Sequence, residues 1–440
     1  MKKSTFLTIL VLLLCFLPAG RARAEKYAAD YETTIYGTDD GLDSLEINAI
    51  AQTPDGYLWI GSYSGLYQYD GSAFHSVTLD SRLTSIMALY TDSSGRLWIG
   101  TNDNGVAVYT PRTKKLKLYN TDNGLSSNAI RSILEDEQGN IYIGTVNALS
   151  VISPSDTVYS FDSLTDIVCV KDMCVGKNNT IAGITNSGVL FFLRNNHLIF
   201  SETFTQKEGV YFNSIFYMEN GSYLLGTSGD TIYKYRLIDS HSKLEPFCRT
   251  KNIYNANKIV DDGYGGVFLC SENGYGHIDA SGRFEDFTNS DFSSSFCNAL
   301  IDDQRNIWFV SNKQGICKLS LNPFQDYFAE IGLDKHVVNA ILISLNEMYI
   351  GCDDGLYIVD TMTNKQIHYD FQKRLKGVRI RHLMKDSYSR IWISTYGNDG
   401  LLCIDPHHRT TCYNETDGTM GGRFRFTMEL SDGTILAASS

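Results

Sequence analysis

The chain has 440 residues, of which 43% are hydrophobic and 20% are charged, with 37 glycines but only 7 prolines. This composition is typical of a globular protein and excludes a low-complexity or linker-like chain. The formal net charge is −12 and no run of basic residues occurs, which argues against binding to the phosphate backbone of a nucleic acid.

The first 24 residues have the pattern of a secretory signal peptide. Lys2 and Lys3 precede an apolar run at residues 6–17, and Ala22 and Ala24 supply small side chains before a cleavage site at Glu25. The apolar run is shorter than the roughly 20 residues that a membrane-spanning helix needs, so a transmembrane segment is the weaker alternative. We therefore predict that residues 1–24 are removed and that the remaining chain is exported.

A short phrase recurs along the rest of the chain. It consists of a turn ending in Gly or Asn, one variable residue, and an apolar strand that closes in Gly and Ser or Thr. The clearest copies are residues 55–62, 94–101, 138–145 and 220–227. Between Trp59 and Leu436 the phrase recurs about every 42 residues, which lies within the period of propeller blades.

Each period contains four strand-like runs separated by turns that contain glycine. In the first period these runs are residues 47–53, 57–62, 66–69 and 74–78. Glycine supplies the positive φ of hairpin turns, and four-stranded antiparallel sheets protect both faces when they pack radially. The sequence therefore predicts an all-β fold of tandem β-propellers with four-stranded blades.

The number of repeats predicts two rings, because nine periods and a broken tenth exceed the blades that one ring usually holds. We expect a first propeller of about seven blades in residues 25–322 and an incomplete second propeller in residues 323–440. Residues 36–42 nearly repeat residues 119–125, so the strand at residues 31–36 is expected to complete the last blade of the first ring. Residues 324–333 are expected to supply an equivalent strand to the second ring. Because the chain stops within a repeat, we expect it to be the amino-terminal part of a longer protein.

Nine cysteines follow the predicted signal peptide. Their number is odd and their spacing irregular, so at least one thiol is expected to be free. Pairing of Asp405 with Thr410 would place Cys403 directly opposite Cys412. Unpaired thiols are favoured there, and a cross-strand disulfide or a metal site with His407 and His408 are the alternatives.

The phrase Leu58-Trp59-Ile60-Gly61-Ser62, followed by Gly65-Leu66 and Tyr69-Asp70, resembles the two-component regulator propeller repeat family. The resemblance extends over about residues 31–440. In that family two extracytoplasmic rings precede a membrane helix and a cytoplasmic output domain, commonly a histidine kinase or a diguanylate cyclase. The resemblance therefore implies an extracytoplasmic sensor region on the periplasmic or extracellular face of the cytoplasmic membrane, whose membrane attachment and output domain would lie beyond residue 440.

Residue patterns typical of catalysis do not occur. The sequence contains no zinc-protease helix, no nucleophile elbow and no Walker loop. The paired acids Asp261-Asp262 and Asp353-Asp354 lie at predicted turns, where aspartate is favoured for structural reasons. We expect neither catalysis by these residues nor a cofactor or a bound metal.

The loops between the second and third strands are the candidate ligand-binding elements, because they lie at one mouth of a propeller. Amide, carboxylate and tyrosine side chains in these loops suit a glycan or another polar ligand. Asn and Asp also form turns well, and that alternative remains open. The candidates in the first ring are Tyr63, Asn102, Asp103, Asn147, Asn186, Lys313 and Gln314, and those in the second are Asp353, Asp354, Tyr396 and Asn398.

These observations favour the ligand-sensing region of a membrane-bound receptor. A polar small molecule or an oligosaccharide would shift the arrangement of the rings or of a homodimer and so send a signal across the membrane. A secreted propeller enzyme acting on polysaccharide and a protein-binding scaffold are the alternatives. A nucleic acid is not an expected partner, and the membrane is expected to be contacted only through a segment outside this chain.

Overall fold

The computed structural model describes residues 31–204, 211–238, 241–322, 327–332, 334, 336–419 and 421–439. The predicted signal peptide lies outside these residues. Within them, no helix has the length and apolar character needed to cross a membrane. The chain divides into two compact units, Met1–Asn322 and Pro323–Ser440.

The first unit consists of seven four-stranded antiparallel sheets in the described residues. Strand β1 spans Tyr31–Tyr36. The first sheet contains β2 (Ile47–Gln52), β3 (Leu58–Ser62), β4 (Leu66–Tyr69) and β5 (Phe74–Val77). The second contains β6 (Ile86–Thr91), β7 (Leu97–Thr101), β8 (Val106–Thr110) and β9 (Lys115–Tyr119), and the third contains β10 (Ile130–Glu135), β11 (Ile141–Thr145), β12 (Leu149–Ile152) and β13 (Val158–Ser160).

The remaining sheets of this unit repeat the pattern. The fourth contains β14 (Val170–Gly176), β15 (Thr180–Thr185), β16 (Val189–Arg194) and β17 (His197–Thr203), and the fifth contains β18 (Phe212–Tyr217), β19 (Tyr223–Thr227), β20 (Thr231–Ile238) and β21 (His241–Arg249). The sixth contains β22 (Ala256–Asp261), β23 (Val267–Ser271), β24 (Gly274–Ile278) and β25 (Phe284–Asp286). The seventh contains β26 (Phe296–Ile301), β27 (Ile307–Ser311) and β28 (Gly315–Leu321), together with β1.

The seven sheets form a closed ring. The first strand of each sheet contacts the first strand of the next, and β26 contacts β2 to complete the circle. Strand β1 pairs antiparallel with β28, with Tyr31 opposite Leu321 and Tyr36 opposite Ile316. The prediction that residues 31–36 complete the last sheet of this ring is confirmed, and so is the predicted all-β propeller fold.

The glycine of the repeated phrase allows neighbouring sheets to approach closely. A Cβ atom added to Gly61 would lie 2.5 Å from Cγ2 of Ile86, the first residue of the next sheet. Gly100 faces Ile130 in the same way, at 2.6 Å. Because such distances are far below van der Waals contact, a larger residue at either position would force the sheets apart.

The second unit contains two four-stranded sheets and one two-stranded sheet in the described residues. They consist of β29 (Val338–Ser344), β30 (Glu347–Cys352), β31 (Leu356–Asp360) and β32 (Lys365–Ile367), then β33 (Ile380–Lys385), β34 (Ile391–Thr395), β35 (Leu401–Ile404) and β36 (Thr410–Tyr413), then β37 (Phe424–Glu429) and β38 (Ile435–Ser439). The short helix α1 spans Tyr327–Glu330, and 3-10 helices span Asp370–Leu375 and Glu415–Asp417. The first unit has 3-10 helices at Thr38–Asp40 and Thr121–Asn123.

Two local predictions in the second unit are wrong. The described part of residues 324–333 forms α1 and a turn at Ile331 and Gly332, not an outer strand. The prediction that Cys403 lies opposite Cys412 also fails, because Cys403 pairs with Thr411 and Cys412 pairs with Leu402.

The physical reason for the second error is the turn at Asp405. The backbone N–H of Asp405 donates to the carbonyl oxygen of Arg409 at 3.0 Å, and His408 adopts a φ of 60°. The turn is therefore one residue shorter than predicted, and a shift of one residue reverses the face on which a side chain lies. Cys403 packs in the cluster with Trp392, whereas Cys412 packs against a different cluster. All nine described cysteines are free thiols.

Candidate ligand-binding site

The first unit encloses a cavity of about 700 Å³ that is lined mainly by the first strands of its sheets. The first strands of adjacent sheets contact each other around the ring, so the cavity lies at its centre. Propellers commonly bind ligands in such a central opening, where groups from several blades converge. The cavity is therefore the strongest candidate site in the described part of the chain.

A β-bulge at the second residue of each first strand shapes this cavity. In the first sheet the pairing with β3 shifts between Ile47 and Ala49, which leaves Asn48 without a direct partner. All the remaining first strands of both units show the same shift in pairing. Bulges re-aim side chains, and they are frequent beside functional sites. In the first unit the bulged residues are Asn48, Met87, Arg131, Lys171, Asn213, Asn257 and Cys297, and all of these except Asn213 line the cavity.

Several bulged residues also connect neighbouring sheets. The side-chain amide of Asn48 donates to the carbonyl oxygen of Ile86 at 3.1 Å, and that of Asn257 donates to Phe296 at 2.7 Å. The thiol of Cys297 donates to the carbonyl oxygen of Ile47 at 3.0 Å. In each case the acceptor is the first residue of the next sheet's first strand. These three side chains therefore help to hold the ring together as well as to line the cavity.

The cavity lining carries more positive than negative charge. Its ionisable groups include Arg131, Lys171 and Lys258 but only one carboxylate, Asp172. Asp172 accepts from Nζ of Lys258 at 2.8 Å and from the backbone N–H of Ile215 at 3.0 Å, so this carboxylate is already bound on both oxygens.

Arg131 and Lys171 are not neutralised by a carboxylate in the described residues. Nζ of Lys171 donates to Oδ1 of Asn213 at 2.9 Å, and Arg131 donates to the carbonyl oxygen of its neighbour Ile130 at 2.8 Å. Burial lowers the pKa of Lys171 below its ordinary value. Burial also raises the pKa of Cys297 to about 12, so this thiol adds no negative charge to the cavity at neutral pH.

Of the seven loop residues predicted for the first ring, Tyr63 lines the cavity, and its side chain is exposed. The other six do not belong to the cavity lining. Asn147 and Gln314 have structural hydrogen bonds: the Asn147 amide donates to the carbonyl oxygen of Ser126 at 3.1 Å, and Oε1 of Gln314 accepts from the backbone N–H of Ser294 at 2.8 Å.

The remaining candidates lie at the surface of their loops. Nδ2 of Asn102 donates to Oδ1 of Asp103 at 3.0 Å, and the side chains of Asn186 and Lys313 are exposed. In the second unit, Asp353 forms an ion pair with Arg379 at 2.6 Å, and a carboxylate oxygen of Asp354 lies 3.0 Å from Nδ1 of His336. The ring of Tyr396 lies beneath the guanidinium groups of Arg381 and Arg423, and Asn398 is exposed. These residues stay predicted ligand contacts.

Sequence reasoning missed the bulged residues, although a signal was present. A polar residue follows the first apolar residue of several first strands, as in Ile47-Asn48 and Ile130-Arg131. In an ordinary strand the two residues on either side of this polar residue would face the same side of the sheet, but the bulge interrupts that alternation. The bulge itself depends on pairing with the second strand, which a single strand's sequence does not reveal.

Comparison with known families identifies the repeats. The family model described as "Two component regulator propeller" matches residues 41–64, 81–103 and 124–147. Each matched segment ends within the loop between the second and third strands of one sheet. The resemblance inferred from the sequence is therefore confirmed for these repeats. A search of curated proteins found no match.

Solved structures share the fold at low sequence identity. The chain is similar to the extracellular domain of a protein from B. thetaiotaomicron described as a hybrid two component system, with a TM-score of 0.59 and 17% identity over 93% of this chain and 64% of that one. It is also similar to an extracellular domain from the same organism described as a one component system, with a TM-score of 0.54 and 16% identity over 93% of this chain and 65% of that one. This chain thus spans less than two thirds of either structure.

A smaller propeller is similar over about two thirds of the chain. Virginiamycin B lyase from Staphylococcus aureus has a TM-score of 0.55 and 16% identity, over 66% of this chain and 99% of the lyase. At these identities the likeness concerns the fold alone.

Proposed function

We propose that this chain, three of whose repeats match the two component regulator propeller model, is the ligand-sensing region of an exported signalling receptor. The observation that carries the proposal is the family match at three successive repeats, in a ring whose central cavity is lined by polar side chains from several sheets. Similarity to extracellular domains described as parts of two component and one component systems supports an extracytoplasmic location. The N-terminal pattern of a signal peptide supports the same location.

The ligand in this proposal is a polar molecule such as an oligosaccharide. Asparagine side chains both donate and accept hydrogen bonds, which matches the hydroxyl groups of a sugar. Asn48, Asn257, Asn298 and Asn312 line the cavity together with Tyr63, an aromatic side chain on which a sugar ring can stack.

Signalling would follow from differential binding. A ligand that prefers one arrangement of the receptor shifts the equilibrium toward that arrangement by its difference in affinity for the two states. The signal would then pass to an output domain on the cytoplasmic side of the membrane. A histidine kinase or a diguanylate cyclase would serve this role.

A screen of oligosaccharides by thermal unfolding tests this proposal. The full chain is expressed with its own N-terminal segment, recovered from the exported fraction and unfolded in the presence of each sugar. A ligand at 100 times its Kd stabilises the folded chain by about 2.7 kcal/mol. We expect at least one oligosaccharide to raise the unfolding temperature and to be recovered unchanged afterwards.

Two substitutions test whether the sugar binds in the cavity. Tyr63→Ala should reduce the stabilisation, whereas Tyr388→Ala, at an exposed turn of the second unit, should not. Recovery of cleaved sugar would favour the alternative of a secreted enzyme acting on polysaccharide. Failure of every sugar to stabilise the chain would overturn the proposed glycan-sensing function.

A further inference from the structure

Two cationic residues occupy the same position on neighbouring strands that line the cavity. Arg131 is the bulged residue of β10, and Lys171 is the bulged residue of β14. These first strands contact each other in the ring. Both residues line the cavity, so the bulges bring two positive charges to one side of it.

Neither charge is balanced by an acidic group. No carboxylate in the described part of the chain forms an ion pair with Arg131 or Lys171, although the protein as a whole carries a net charge of −12. The carboxylate in the lining, Asp172, is bound to Lys258 on one oxygen and to the backbone N–H of Ile215 on the other. Both cations are partly buried, so they lose some hydration without gaining a counter-charge, and an anion that enters the cavity would offset that cost.

The direction of the Lys171 pKa agrees with this description. Burial lowers this pKa, and no carboxylate raises it again. By contrast, Lys258, which has Asp172 as its partner, has a raised pKa: burial lowers the pKa of this lysine, but the charge of Asp172 and its hydrogen bond raise it by more. Two lysines in one cavity thus differ because one has an anionic partner and the other has none.

A third group in the cavity lining, the side-chain oxygen of Asn312, lacks a hydrogen-bond donor in the described residues. Oδ1 of Asn312 is buried and accepts no hydrogen bond in the described residues. A buried acceptor without a donor destabilises the folded chain, because it has lost its hydrogen bonds to water. A hydroxyl group is a suitable donor for this oxygen.

We propose that the central cavity of the first unit binds an acidic saccharide, whose anionic group contacts Arg131 and Lys171 and one of whose hydroxyl groups donates to Asn312. This inference rests on the proposed sensing function and specifies its ligand class. The anionic group is a carboxylate or a sulfate ester, because both offer the oxygen acceptors that guanidinium and ammonium groups bind.

The test measures the affinity of the exported full chain by isothermal titration calorimetry. The probes are trigalacturonate, its methyl ester, a sulfated trisaccharide, a neutral trisaccharide and inorganic sulfate. We expect an acidic trisaccharide to bind at least 10-fold more tightly than its neutral counterpart. The two acidic probes distinguish a carboxylate ligand from a sulfated one.

Substitutions then locate the contact. Arg131→Gln and Lys171→Gln should each weaken binding of the acidic saccharide by at least 10-fold, with little effect on the neutral one. Arg131→Lys and Lys171→Arg keep the charge and should retain most of the affinity. Lys177→Gln is the matched control, because Lys177 is exposed just beyond the far end of β14 and does not line the cavity.

The possible results separate this inference from the function on which it rests. Binding of neutral oligosaccharides with no preference for acidic ones would overturn the inference and leave the sensing function standing. Binding of inorganic sulfate with no added affinity for any saccharide would also overturn it. Equal loss of affinity in Lys171→Gln and Lys177→Gln would show that the anion lies elsewhere on the protein. If no saccharide of any charge binds, both the inference and the proposed function are wrong.

Discussion

Aspartates in the turns that precede the second strands hold the tryptophans of the repeated phrase. Asp92 accepts a hydrogen bond from Nε1 of Trp98 at 2.7 Å, and Asp302 accepts one from Trp308 at 2.8 Å. In the first sheet a threonine takes this role, since Oγ1 of Thr53 accepts from Trp59 at 2.9 Å. A large apolar side chain can thus be buried with its one polar atom satisfied.

Removal of one such carboxylate should destabilise the first unit. Asp92 also accepts from the backbone N–H of Arg96 at 2.9 Å, so Asp92→Ala leaves several donors unsatisfied, including the buried indole of Trp98. We expect the free energy of unfolding to fall by about 3 kcal/mol, measured by urea denaturation. Asp92→Thr should be milder, because Thr53 shows that a hydroxyl can accept this bond.

Asp162→Ala is the control for that substitution, because Asp162 is exposed in a loop. A change within about 0.5 kcal/mol is expected there. If Asp92→Ala costs no more than Asp162→Ala, the indole contact contributes nothing to stability.

The equivalent aspartate of the second unit makes stability depend on pH. Burial raises the pKa of Asp386, but hydrogen bonds from Trp392 and Arg390 lower it by more, so it lies below its ordinary value. A carboxyl group with a lowered pKa stabilises the fold above the unfolded-state pKa of about 3.9, and this contribution disappears as the pH falls through the folded-state value. The second unit should therefore lose stability in acid, below about pH 4.

The protection of the backbone amides of β34 against hydrogen exchange, compared between pH 6 and pH 3, measures this loss of stability. Asp386→Asn should be less stable than the original chain at pH 6 and should lose less stability on acidification, because the titrating group is gone. The exposed control Asp162→Asn should leave the pH profile of β34 unchanged. An unchanged profile in Asp386→Asn would contradict the assignment to this carboxyl group.

Among the elements, β1 has the clearest individual role. It supplies the outer strand of the seventh sheet and so joins the beginning of the ring to its end. Its middle residues are exposed and its two end residues, Tyr31 and Tyr36, are partly buried. Tyr36 stacks on Trp308 of the seventh sheet and also packs edge-on against Phe74 of the first sheet. Tyr31 packs edge-on against Phe268 of the sixth sheet, so the strand is held by its backbone ladder and by aromatic contacts at both ends.

Truncation of one aromatic end should loosen this closure. Tyr36→Ala removes the contacts with Trp308 and Phe74 and a hydrogen bond to the hydroxyl of Tyr69 at 3.2 Å. We expect a loss of about 3 kcal/mol in unfolding free energy and faster hydrogen exchange in β28. Thr34→Ala, in the exposed middle of the strand, is the control and should change neither quantity appreciably. Equal protection of β28 in both variants would show that the aromatic end does not hold the strand.

The elements could be predicted from the sequence where the information is local or repeated. The phrase around Trp59 predicts strands and turns because Gly and Asp recur at fixed positions, and the copy of residues 119–125 at residues 36–42 predicts the role of β1. The register at Cys403 could not be predicted in this way, because it depends on the conformation of a single turn residue, His408. The loop candidates followed from topology, whereas Arg131 and Lys171 depend on bulges that form only when two strands pair.

At the scale of the whole molecule, the two units have separate hydrophobic cores in the described residues. Every buried cluster of the first unit is composed of residues before Asn322. The clusters of the second unit contain only residues after it. Since each core belongs to one unit, the cooperative interactions that make unfolding an all-or-none event should be confined within units.

This separation predicts two unfolding transitions that respond to different substitutions. Asp92→Ala should lower the midpoint of the first unit's transition and leave that of the second unit unchanged, and Asp386→Ala should do the reverse. Pulse-labelling hydrogen exchange along a urea gradient would assign each transition, with β7 reporting on the first unit and β34 on the second. The double variant should combine both shifts, because sites without shared partners act additively. If either single substitution moves β7 and β34 together by the same amount, the chain unfolds as one cooperative body and the independence of the two units is refuted.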